Sequence, residues 1–177
     1  VSPPKIPHED AIYRSYSDGL ELLKNSGFNR YEVSAYSLPG RSSSHNLHYW
    51  RYGDYIGIGA GAHGKVTIGK DIYRTKKADS PTLYMKKLKE KRADSEKRLV
   101  SEEDALIEYA INITRLTDGF ELSDLYDKTG IEPGSHEVDE KIIRAEKAGF
   151  FERKGDVIKP TKKGQLFLND LQLIFLN

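Results

Sequence analysis

Apolar positions recur at helical spacing over residues 8–26, where Ile12, Tyr16, Leu20 and Leu23 fall on one face. Gly27 follows where a left-handed residue can close the helix. Residues 31–34, YEVS, then predict a short strand. Helix, turn and strand together predict one α/β repeat of a parallel sheet whose neighbouring strands are not in this stretch. The proline-rich residues 3–7 ahead of the helix cannot be helix interior. Residues 38–44 are loop by composition. Residues 65–75 predict a hairpin: Val66 and Ile68 on one arm, a Gly69-Lys70-Asp71 turn, then Ile72 and Tyr73. Pro81 opens a helix expected to reach Arg92.

The second half is more regular. Ser101 and Asp104 form a capping-box-like start, and Leu106, Tyr109, Ala110, Ile113 and Leu116 follow at helical spacing. A short helix is expected over residues 122–128, ended by Gly130. Another is expected over 137–148, with Val138, Ile142 and Ala145 on one face and Gly149 closing it. Residues 150–161 predict a two-stranded ribbon turning at Lys154-Gly155-Asp156. A last amphipathic helix covers 162–175, apolar at Leu166, Phe167, Leu171 and Ile174. Three helices, a ribbon and a closing helix make a winged-helix-like order.

Between residues 86 and 98 seven basic residues stand against three acidic ones. The strip could hold phosphate, but such a run is more often a solvated helix face or linker. The domain boundary is placed here, dividing residues 1–92 from 93–177.

Composition narrows the classes. The chain has 177 residues, 28 Lys plus Arg and 27 Asp plus Glu, for a formal charge of +1. That balance gives no general argument for nucleic-acid or membrane-surface binding. No apolar run approaches the roughly 18 residues of a membrane helix, and no signal peptide is visible. With no cysteine, disulfides and thiolate metal sites are excluded within this chain, and a cytoplasmic origin fits. The chain opens on Val1, and Met85 is its only methionine. It reads as a portion of a longer protein.

Candidate chemistry concentrates in residues 45–64, HNLHYWRYGDYIGIGAGAHG, which hold three tyrosines, the only tryptophan and five of the fifteen glycines. Residues 59–64 match G-x-G-x-x-G. A dinucleotide site needs a helix after the glycines, whereas residues 65–68 favour a strand. The glycines would instead permit close backbone approach to a ligand, or to a neighbouring strand. His45, His48 and Tyr49 would share a face if the segment is helical. Imidazole ligates zinc or haem iron, but no further ligand stands at zinc-site spacing. A histidine bracing the loop through backbone hydrogen bonds is the plainer reading. As a DNA reader the second half lacks the footprint: residues 121–163 carry ten acids and nine bases.

These residues also carry a resemblance. Gly27-Phe28-x-x-Tyr31-Glu32-Val33-Ser34, Pro39-Gly40, His45-Asn46-x-x-Tyr49-Trp50 and Asp54-Tyr55-Ile56-Gly57-Ile58-Gly59-x-Gly61-Ala62-His63 resemble, in order and spacing, the oxygen-independent coproporphyrinogen III oxidase-like family. The H-N-x-x-Y-W element points to its haem chaperone branch. Leu116-Thr117-Asp118-Gly119-Phe120 and Thr161-Lys162-Lys163-Gly164 resemble that family's C-terminal domain. Ala35 and Ala60 depart from the family pattern, where Asn and Pro are usual.

The resemblance implies a radical S-adenosylmethionine protein of α+β class. This chain would supply the last α/β unit of a partial TIM-type barrel with a β-hairpin extension, then a winged-helix-like C-terminal domain. S-adenosylmethionine and a 4Fe–4S cluster would belong to the full-length parent. The implied cofactor-binding residues are His45, Asn46, Tyr49, Trp50, Gly57, Gly59, Gly61, Ala62 and His63, with His45 a candidate ligand to haem iron. Expected partners are haem or coproporphyrinogen III and a haem-recipient protein, with no nucleic acid and no integral membrane segment. Alone, the chain is expected to be catalytically silent. The competing expectation is a nucleic-acid-binding winged-helix protein, supported only by the basic strip.

Overall fold

A computed structural model describes residues 4, 6–92 and 94–176. Val1, Ser2, Pro3, Lys5, Ala93 and Asn177 therefore lie outside the described residues, and with them parts of the proline-rich stretch and of the expected boundary at 92 and 93. The chain forms two compact units, one up to Ser43 and one from Ser44 onward.

In the first unit α1 spans Glu9–Asn25, with His8 as N-cap and Ser26 as C-cap. Gly27 adopts φ 82°, as its place after the helix requires. None of the α1 side chains is fully buried: of its apolar stripe Ile12 and Tyr16 are exposed, and Leu20 and Leu23 are half-buried. The strand expected at residues 31–34 is displaced. β1 is Asn29–Glu32, and Val33 and Ser34 form a turn into β2, Ala35–Ser37, which pairs with β1 antiparallel. Arg30 holds this hairpin: Nη2 donates to the Val33 carbonyl at 2.9 Å and Nη1 to Tyr16 Oη at 3.0 Å.

The second unit begins with α2, Ser44–Trp50. The predicted hairpin forms from β3, His63–Ile68, and β4, Asp71–Lys77, with Ile68 opposite Asp71 across the turn. The segment ahead of it joins the sheet through an isolated bridge between Tyr55 and Lys65. α3 is Pro81–Lys89, capped by Ser80 and shorter than expected. The charged strip then contributes β5, Asp94–Leu99, whose register on β4 pairs Tyr73 with Leu99 and Lys77 with Asp94. All six β5 residues are exposed. A strand with no buried face has no apolar alternation to reveal it.

α4, Glu102–Ile113, starts at Ser101, whose hydroxyl accepts from the Asp104 N–H. Its buried side chains Ala105, Leu106, Tyr109, Ala110 and Ile113 form the centre of the core. α5, Leu122–Thr129, and α6, His136–Lys147, pack around it, α6 through Val138, Ile142 and Ala145. The ribbon is β7, Phe151–Lys154, and β8, Val157–Pro160, joined by a third strand, β6, Phe120–Glu121, in the order β6-β8-β7. Gly119 lets β6 meet β8: a Cβ there would lie 2.1 Å from the Ile158 carbonyl oxygen. The last helix is two pieces, α7 Lys162–Leu166 and α8 Leu168–Leu176, separated at Phe167, which takes φ −108°, ψ 48°. Leu171 and Phe175 are buried, while Leu166 and Phe167 are half exposed.

Candidate functional site

α2 carries the H-N-x-x-Y-W element, and its one-turn periodicity brings His45 and Tyr49 together. Their rings meet edge to face with centroids 4.7 Å apart. Tyr49 in turn lies against Tyr55, again at 4.7 Å. Tyr55 Oη accepts from Arg74 Nη1 at 2.8 Å. Arg74 is gripped by Glu108 of α4, with Nη2 to Oε2 at 2.7 Å, and Tyr52 Oη donates to the same carboxylate oxygen at 2.6 Å. A ladder of rings therefore runs from exposed His45 inward to a partly buried ion pair. Burial, and then the hydrogen bond to Glu108, push the Tyr52 phenol well above its ordinary pKa. It stays a neutral donor.

Trp50 faces the other way. It packs on the core, and the Arg115 guanidinium lies over its ring at 4.3 Å. Its Nε1 is buried without a partner. His48, not His45, performs the bracing expected of a histidine here: Nε2 lies 2.6 Å from the Asp54 carbonyl. The ring covers Gly53, where a Cβ would fall 2.4 Å from it.

The glycines make their closest approaches to the chain itself. At Gly57 a Cβ would stand 2.3 Å from the His63 carbonyl oxygen. Gly61 donates to the Ala78 carbonyl at 2.8 Å, and Lys77 donates to the Ala62 carbonyl at 2.8 Å. Gly59 adopts φ 108° with open space around it, and its N–H donates to Tyr84 Oη at 3.2 Å. Ile56 and Ile58, which flank Gly57, are 77% and 86% exposed. Strand β3 starts at His63, so no helix N-terminus follows the glycines and the dinucleotide reading has no structural support.

One buried cation escaped the sequence. Lys65, 2% exposed, directs Nζ to Asp54 Oδ1 at 2.7 Å and to the Tyr52 carbonyl at 3.0 Å. Burial lowers its pKa more than Asp54 raises it. For Asp54, burial raises the pKa, but hydrogen bonds from Lys65 and Thr67 outweigh that and hold it below its usual range. Nothing in the sequence distinguishes Lys65 from the exposed lysines around it. Among the described residues no set of three His, Cys, Asp or Glu could hold a metal ion.

The chain aligns with the Escherichia coli heme chaperone HemW at 37% identity over 177 residues, covering 98% of this chain and 45% of that protein. The HemW of Buchnera aphidicola from Schizaphis graminum is 39% identical over 175 residues, covering 97% of this chain and 44% of that protein. The chain belongs to the coproporphyrinogen III oxidase-like radical SAM family, in its HemW-type branch. It spans less than half the length of these HemW relatives. Mouse radical S-adenosyl methionine domain-containing protein 1, mitochondrial, matches at 44% identity over 77 residues, 44% of this chain and 17% of that protein. No family model matches the chain. A solved structure of E. coli coproporphyrinogen III oxidase (HemN), described as a radical SAM enzyme, superposes with TM-score 0.63 at 13% identity, over 96% of this chain and 42% of that one. At that identity the likeness is one of fold, and it supports a mixed α/β HemN-like architecture. The names of the HemW relatives give the nucleic-acid alternative no support. Among the described residues, no helix of this HemW-type chain is long and apolar enough to cross a membrane.

Proposed function

We propose that this chain is the tetrapyrrole-contacting C-terminal portion of a haem chaperone acting in porphyrin and haem metabolism. The observation that carries this reading is the His45–Tyr49–Tyr55 ladder on α2, within a chain matching HemW proteins along nearly its whole length. His45 is exposed, and its only contact among those described is the edge of Tyr49. An imidazole so placed is free to ligate iron, and the tyrosine rings offer flat apolar area beside it. Trp50 and Asn46 would set the placement of α2. Gly57, Gly59, Gly61, Ala62 and His63 would fix the loop that presents Ile56 and Ile58. Haem here is cargo; coproporphyrinogen III, to be oxidatively decarboxylated, is the alternative ligand of the parent. The relatives named heme chaperone favour haem.

The radical SAM parentage implies a 4Fe–4S cluster and S-adenosylmethionine. With no cysteine, this chain has no thiolate to hold the cluster, and no step is assigned to it here. Residues up to 92 are assigned to the barrel-derived part, ending a partial TIM-type barrel. Residues from 93 are assigned to a C-terminal domain in which α4, α5, α6 and the β6-β8-β7 sheet follow winged-helix order. β5 is the strand that ties the second assignment to the hairpin of the first. The reading places the protein in the cytoplasm, delivering haem to a recipient protein.

Trp50, the only tryptophan, reports on α2. Titrating ferric haem into the chain is expected to quench Trp50 fluorescence saturably at a ratio of one to one. Quenching that is linear and unsaturable would refute a defined site.

A further inference from the structure

A groove of about 950 Å³ opens on the side of α2 away from the ring ladder. None of the nine residues assigned above to cofactor binding lines it. Its walls come from α2, the Tyr52–Asp54 turn, β3, α4 and the segment from Asp118 to Lys128. Five carboxylates line it, Asp54, Asp118, Glu121, Asp124 and Asp127, against three cations, Arg51, Lys65 and Lys128. Lys65 is already paired with Asp54. The acids alone would be a solvated face, and Asp124 also suits the first turn of α5.

A second feature sets the groove apart. Tyr109 lines it, is 1% exposed, and its hydroxyl has no hydrogen-bond partner. Tyr109 and the Asp124 carboxylate line the same groove, and burial, with the Asp124 charge after it, raises the phenol's pKa and keeps it neutral. A buried hydroxyl left unpaired is costly, and a ligand that pairs it removes that cost.

We propose that this groove seats an arginine side chain presented by a peptide segment of a protein partner, with Tyr109 Oη and the Asp124 carboxylate as its acceptors. The excess of carboxylates selects a cation. Among the described residues no three acids stand close enough to hold a metal ion. A guanidinium supplies several N–H groups in a planar fork, so it can reach two acceptors at once and lie against the ring of Phe120; an ammonium does this less well. The groove has room for several residues, which favours a peptide over a lone amine.

Calorimetric titration of the whole chain with capped Gly-Arg-Gly-Arg-Gly, its lysine counterpart and free spermidine tests this. The arginine peptide should bind, with the lysine peptide and spermidine each at least about fivefold weaker. Tyr109→Phe and Asp124→Asn should each weaken it by about tenfold. Tyr109→Phe breaks no hydrogen bond of the free protein, so its thermal midpoint should not fall, and exposed Asp124→Asn provides a second variant should the first misfold. No heat with the arginine peptide, unchanged affinity in both variants, or spermidine binding as tightly as the peptide would overturn the proposal.

Discussion

The Lys65 ammonium and the Asp54 carboxylate meet at 2.7 Å, with the lysine enclosed and the carboxylate 42% exposed. Asp54 also accepts from the N–H and hydroxyl of Thr67, at 2.7 and 2.9 Å. It thereby fastens the turn after α2 to β3 at the strand that carries the Tyr55 bridge. Asp54→Asn leaves the buried cation without its counter-charge. Removing one partner of a fully buried pair costs about 3–5 kcal/mol. With Asp54 half exposed, a loss of about 2 kcal/mol is expected in urea unfolding.

The same pair sets a pH dependence. The Asp54 pKa is lowered in the folded state, so its contribution is complete above the ordinary carboxylate value of about 4 and is lost as pH falls through the lowered one. The Lys65 pKa is also lowered, so between that value and the ordinary one the unfolded chain binds more protons and stability again rises with pH. Thermal midpoints measured from acid to mildly alkaline pH should climb steepest below about pH 4. Asp54→Asn should flatten the acid limb.

Gly57 is fixed by the His63 carbonyl, which leaves no room for a side chain. Gly57→Ala forces backbone apart and should cost about 2 kcal/mol. Gly134, at φ 81° with nothing near it, lies far from the loop in sequence and is a control for simple left-handed strain. Gly134→Ala should cost about 1 kcal/mol. Equal costs in chemical denaturation would show that close approach is not what Gly57 provides.

Elements with a buried face could be read from the sequence. α4 and α6 announce themselves because Leu106, Tyr109 and Ile113, or Val138, Ile142 and Ala145, repeat at the period of the helix and all point into one core. β5 could not be read, since all six of its residues are exposed and no apolar alternation marks it. β2 was lost because a turn at Val33 and Ser34 cannot be separated from strand by two residues of β-favouring composition. The break at Phe167 left no mark either, because the apolar spacing continues across it. Of the candidate site, the pairing of His45 with Tyr49 follows from helical spacing. The contacts of Tyr55 with Arg74, and of Arg74 with Glu108, join residues 19 and 34 positions apart. No local pattern encodes such contacts.

The most direct test of the account is coordination at His45. Ferric haem titrated into this chain should give a shifted, saturable Soret band with the signature of imidazole ligation, and His45→Ala should abolish that signature and weaken binding at least about tenfold, one metal–ligand contact being worth more than an ordinary hydrogen bond. An unshifted Soret band in the wild type, or the same band and affinity in both proteins, would contradict it.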